Sequence, residues 1–183
     1  MNPKIIDEEK FRSNNYLGQD ILAPAKSWYV FLSLTIALFL NFLPLQGSAL
    51  ILRPDFVAIT MLFWCVNQPH KVGMSLAFCL GLMMDVGNVS ILGQHALAYC
   101  VMVYFALIFR RRLRMFSLLQ QAPQIGLILL IMQISLVLIA LLNDAIFPGW
   151  HFFLASLTGI LMWAPISFLL CIPLRPKSDP DAL

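Results

Sequence analysis

The placement of positive charge among long apolar stretches constrains this chain more than any other feature. From Trp28 to Pro173, apolar segments alternate with short polar breaks. If the chain crosses a membrane six times starting inside, Lys4, Lys10, Arg12, Lys26, Lys71, Arg110, Arg111, Arg112, Arg114, Arg175 and Lys177 all fall on one side. Of the 12 Lys and Arg residues, Arg53 alone falls on the other. Short loops rich in Lys and Arg stay cytoplasmic because positively charged flanks resist translocation. Five or seven crossings would scramble this pattern. It therefore predicts an all-α integral membrane protein with six transmembrane helices and both termini inside. The organisation is a cytoplasmic tail over 1–26, a membrane domain over 27–174 and a second cytoplasmic tail over 175–183.

Composition excludes an ordinary soluble domain. The chain is 60% hydrophobic and 11% charged, against about 25% charged in soluble proteins. At 183 residues it is too small to hide that excess in one core. The Arg110–Arg114 cluster borders a span, so an anchor on anionic lipid explains it better than a nucleic-acid patch. Cys65, Cys79, Cys100 and Cys171 each stand alone in apolar segments and act as small hydrophobes. No metal, cofactor or disulfide framework is expected from them. Gly47-Ser48-Ala49 follows an apolar run in the manner of a cleavage site, but the residues before Trp28 are too long and carry too much charge of both signs. The first span reads as an uncleaved anchor.

The predicted spans are Trp28–Leu43, Asp55–Val66, Val72–Asp85, His95–Phe109, Gln124–Asn143 and Phe152–Ile172. A crossing takes about 20 helical residues, and only the last two reach that. The second, third and fourth must borrow flanking residues such as Ala49–Leu52 and Val89–Leu92, tilt little or sit where the protein is thin. Irregular backbone at that depth survives only where protein or a wet cavity shields it. The middle of the chain is thus the expected place for a cavity or partner groove. Pro54 suits the first turn of a helix, and Asp55 adds negative charge at that helix's positive end. Pro69 with Gly73 forms an inner turn, Gly87, Asn88 and Gly93 an outer one, and Pro165 kinks the last span.

Arg53, Asp55 and Asp85 gather near one interface. A carboxylate there is costly unless paired, so Arg53–Asp85 or Arg53–Asp55 contact is expected. Such a contact serves either as a staple between helices or as a site for an anionic ligand or partner. Trp64 reads as an interfacial aromatic beside a cytoplasmic turn, and His95 as a helix starter. Gln133, near Ser135, is a polar group in mid-span, of the kind that bonds across helix interfaces for about 0.6 to 2 kcal/mol. Asp144 and His151 read as solvated. No H-E-x-x-H, G-x-S-x-G or phosphate cradle occurs, so no catalytic residue is assigned.

Arg53-Pro54-Asp55-Phe56 opens a span; Trp64, Pro69-His70-Lys71-Val72-Gly73, Gly81 with Asp85, and Leu92-Gly93 before His95-Ala96-Leu97 follow in order. This series resembles the rod shape-determining protein MreD family over roughly Trp28 to Leu174. The resemblance implies a bacterial inner-membrane component of the elongation machinery that supports lateral peptidoglycan synthesis. Its implied partners are MreC and, through the complex, the filament protein MreB, the RodA glycosyltransferase and a class B transpeptidase, with membrane lipid and no nucleic acid. It also implies a fold similar to the substrate-binding subunits of energy-coupling-factor vitamin transporters. Two functions follow as expectations: a non-catalytic scaffold that holds MreC, or a substrate-capture subunit of a small-molecule transporter. Ala155 with Gly159 on the last span is the small-residue pair expected to admit a partner helix.

Overall fold

A computed structural model describes residues 25–43, 53–116, 118–147 and 149–174. Six α-helices and no strand occur among the described residues: α1 (Ser27–Asn41), α2 (Phe56–Asn67), α3 (Met74–Gly87), α4 (Gln94–Met115), α5 (Leu118–Leu142) and α6 (Leu154–Cys171). Short 3-10 turns, Trp150–Phe153 and Ile172–Leu174, flank α6. The expectations about Gly47-Ser48-Ala49, the borrowed Ala49–Leu52, and the tails apart from Ala25 and Lys26 lie outside the described residues.

The helices follow the predicted order, with two informative changes in length. α4 runs past the apolar stretch through the arginine cluster to Met115, because arginine is a good helix former and apolar length limits a span, not a helix. α5 begins at Leu118 and passes through Pro123, which sits in its second turn and removes one ladder bond. Two segments, Gln120–Leu142 and Trp150–Leu174, are long and apolar enough to cross a membrane by length and composition, with mean hydropathy 2.9 and 2.0. α1, α2 and α3 are shorter, at 15, 12 and 14 residues.

Shortness has a clear consequence for α2. Every residue from Val57 to Val66 is buried, so this helix is sheathed on all sides. It packs against α1, α4 and α6. A helix apolar all round belongs in an interior, and α2 is the axis of the bundle. Trp64 is therefore no interfacial residue. It is fully buried, donates Nε1–H to Ser33 Oγ at 2.9 Å and packs edge-on against Tyr29 and Phe63. α3 packs on α4, α4 on α5, and α5 on α6. α2 and α3, though consecutive, are not packing neighbours; α4 is the helix that contacts both.

Glycine sets the closest of these approaches. A Cβ on Gly81 would lie 2.3 Å from Ala96 Cα and 2.5 Å from Ala96 N, both immovable backbone. Only glycine lets α3 press against the first turn of α4. Gly159 is buried, and a Cβ added to it would lie 2.7 Å from Leu129 Cδ1. The groove expected at Ala155 and Gly159 for a partner helix is thus filled at Gly159 by α5, while Ala155 lines a recess described below.

A cluster of caps at one end of the bundle

The C-termini of α1 and α3 meet the N-termini of α2, α4 and α6 at one end of the bundle. Helix N-termini leave N–H groups without partners, and two carboxylates answer them. Asp55 is the N-cap of α2: Oδ1 accepts from Ala58 N at 3.0 Å. Pro54 therefore stands just outside the helix, not in its first turn. The same Oδ1 accepts from Asn41 Nδ2 at 2.8 Å, while Asn41 Oδ1 takes the Phe56 N–H at 3.0 Å. Asp55 Oδ2 accepts the hydroxyl of fully buried Tyr99 at 2.6 Å. One carboxylate thus ties α1, α2 and α4 together.

Asp85 does the equivalent for α4, from a different helix. The N-cap of α4 is Gly93, at φ +96, which has no side chain to offer. Asp85 supplies the missing acceptor. Oδ2 takes the Gly93 N–H at 2.8 Å, and Oδ1 takes the His95 N–H at 2.8 Å and the His95 Nδ1–H at 2.7 Å. Ser90 Oγ adds a bond to Oδ1 at 3.0 Å. The Asp85 side chain is 0% exposed. Gly81, one turn earlier on α3, creates the proximity that makes this capping geometry reachable.

Arg53 has a third task. Its guanidinium donates to Leu43 O at 3.1 Å and Leu40 O at 3.2 Å, the last carbonyls of α1 and its exit. The expected Arg53–Asp85 pair does not form, since Asp85 pairs with His95 and α4 holds it away from α2. Arg53 stays near Asp55, whose charge opposes the lowering of the guanidinium pKa by burial. His95 is more than a helix starter, bonding Asp85 through both its backbone N–H and its ring. Asn41 and Tyr99 escape a sequence reading. Tyr99 carried one signal, its position one turn after His95 on the same face of α4.

At the opposite end, α2 finishes and α3 starts. Arg110 Nε donates to Val66 O at 3.0 Å, and Arg114 to Asn67 O at 2.9 Å. The Pro69 turn is closed by Lys71 N to Gln68 O at 3.1 Å, and Lys71 Nζ reaches Ala25 O.

Between the polar end's helices lies a recess of about 190 Å³, whose lining includes Arg53, Asp55, His95, Gln133 and Ala155. Among the described residues, no group of His, Cys, Asp and Glu is arranged to hold a metal.

An apolar helical bundle with capped, polar termini at one end is the architecture of a membrane-associated protein. The chain belongs to the rod shape-determining protein MreD family: that family's sequence model matches residues 25–172. The rod shape-determining protein MreD of Haemophilus influenzae is 30% identical over 151 residues, covering 82% of this chain and 93% of the relative. No solved structure matches the chain.

Proposed function

We propose that this chain is a non-catalytic, multi-pass scaffold of the bacterial inner membrane that binds MreC and supports lateral peptidoglycan synthesis and rod shape. Family membership across nearly all of the helical bundle carries this reading. It works with six spans, both termini cytoplasmic, the arginine-rich end inside and the Asp55–Asp85 end outside. The distribution of Lys and Arg supports that orientation. So does the partition of caps, with carboxylates and Arg53 at one end and the arginine cluster at the other. A fold similar to energy-coupling-factor substrate-binding subunits fits six helices around a recess. MreB, RodA and a class B transpeptidase would be reached through MreC.

The polar groups here are committed to holding helices together: Asp55 and Asp85 each accept several bonds from their neighbours. That favours a scaffold over a transporter's capture subunit. Depletion should round rod-shaped cells without creating a nutrient requirement, and MreC should co-purify with the tagged chain. A nutrient requirement with normal cell shape would instead support the transporter subunit. A periplasm-active reporter fused after Lys177 should be silent; activity there would overturn the six-span topology.

A further inference from the structure

The four arginines that end α4 do not share one task. Arg110 and Arg114, one helical turn apart, donate inward to the closing carbonyls of α2 at Val66 and Asn67. Arg111 and Arg112 are exposed and have no hydrogen-bond or ion-pair partner among the described residues. The described carboxylates, Asp55, Asp85 and Asp144, all lie toward the opposite end of the bundle.

The helix itself shows where the free pair points. Leu97, Tyr104, Ile108 and Met115 are each more than half exposed. Their spacing of seven, four and seven residues places them on a single stripe of α4. Arg111 falls on that stripe, one turn after Ile108 and one turn before Met115, and Arg112 borders it. The opposite face, with Tyr99, Met102, Ala106 and Leu113, is buried. In a bilayer the exposed stripe meets acyl chains.

Length sets the depth. From Gln94 to Phe109 the helix rises roughly 24 Å, at about 1.5 Å per residue, before the first arginine. A hydrocarbon core is about 30 Å thick. The arginines thus lie at or inside the acyl boundary, where a charge without a counter-ion is costly. The anion available at that depth is a lipid phosphate, which a guanidinium binds through two parallel N–H bonds.

We propose that Arg111 and Arg112 form a binding site for an anionic phospholipid of the leaflet at the basic end, with its phosphate on the guanidinium groups and an acyl chain along Ile108 and Tyr104. The cluster's affinity for lipid is thereby assigned to two residues, and Arg110 and Arg114 are left as helix caps. The site rests on the membrane-spanning reading proposed above; nothing in it needs MreC.

Phosphatidylglycerol and phosphatidylethanolamine both carry the phosphate, but only the first is a net anion, the second bringing an ammonium that the arginines repel. The full chain, taken from nanodiscs holding the two in equal amounts, should retain phosphatidylglycerol roughly tenfold over phosphatidylethanolamine by native mass spectrometry. Arg111→Gln with Arg112→Gln should bring that ratio near one. This variant should unfold at the wild-type temperature in lipid-free detergent, because neither side chain holds a neighbour. Arg110→Gln with Arg114→Gln removes the same charge, but should keep most of the preference and unfold earlier. Should the first variant fail to enter nanodiscs, Met115→Glu keeps all four arginines and sets a carboxylate one turn from Arg111, and should lower the ratio about threefold. An equal loss in the two double variants would mean that net charge alone draws the lipid, and would overturn the site. So would equal retention of both lipids by wild type. Free glycerol 3-phosphate should not raise the unfolding temperature; protection as large as that given by the lipid would overturn the membrane as the source. Entry into nanodiscs is read before retention, so a failure of the membrane-spanning reading is seen apart from a failure of the site.

Discussion

The two ends of the bundle solve one problem with opposite charges. At the polar end, carboxylates accept the free N–H groups that start α2 and α4. At the basic end, arginines donate to the last carbonyls of α2. Both arrangements suit the helix dipole. They differ in depth. Asp85 is sealed inside the protein, with backbone donors that have nowhere else to turn. Arg114 is exposed and Arg110 half-buried, so water can replace either. The same kind of contact should therefore matter greatly at one end and little at the other.

The sharpest test of that contrast is Asp85→Ala. It strands the N–H groups of Gly93 and His95 and should cost about 3 kcal/mol, as buried donors left without an acceptor do. Thermal unfolding in one fixed detergent should show the loss, with rounded cells on complementation. Exchanging the charges, Arg53→Asp with Asp85→Arg, should recover nothing relative to Asp85→Arg alone; recovery would restore the direct pair that the structure replaces with His95. Gly81→Ala comes next. Its methyl must displace the backbone of α4 at Ala96, for about 2 kcal/mol by the same assay. A stable, functional Gly81→Ala would mean that the α3–α4 contact is looser than described. Tyr99→Phe removes only the hydroxyl bonded to Asp55 and should cost about 1.5 kcal/mol, as hydrogen bonds to charged groups do. At the basic end, Arg110→Ala should cost less than about 1 kcal/mol, in keeping with exposed charges. A loss there as large as that of Asp85→Ala would erase the distinction between the ends.

Much of this arrangement was legible in the residues. Asp55 after Pro54 announces an N-cap, although the proline lies outside the helix. Asp85 can be placed near Arg53's level from the alternation of spans alone. Its partner could not be. Pairing it with Arg53 assumed that consecutive helices pack together, and α4 instead occupies that position. Trp64 was misplaced for a related reason. In a helix apolar on every face, hydropathy has no period to separate a lipid-facing side from a protein-facing one. Asn41 and Tyr99 looked like ordinary members of apolar runs, since a buried polar group becomes visible only when its partner is known.

Sequence alone determined the helical class, the order of the elements and the family. These follow from local propensity, from the preference of apolar residues to leave water, and from a motif series read along the chain. Tertiary structure decided that α2 is the axis, that Gly81 brings α3 onto α4, and that Asp85 caps a helix other than its own. The physical reason is that a cap requires only a nearby acceptor, from whichever helix packing brings close. Such proximity is a property of three dimensions, and no spacing along the chain encodes it.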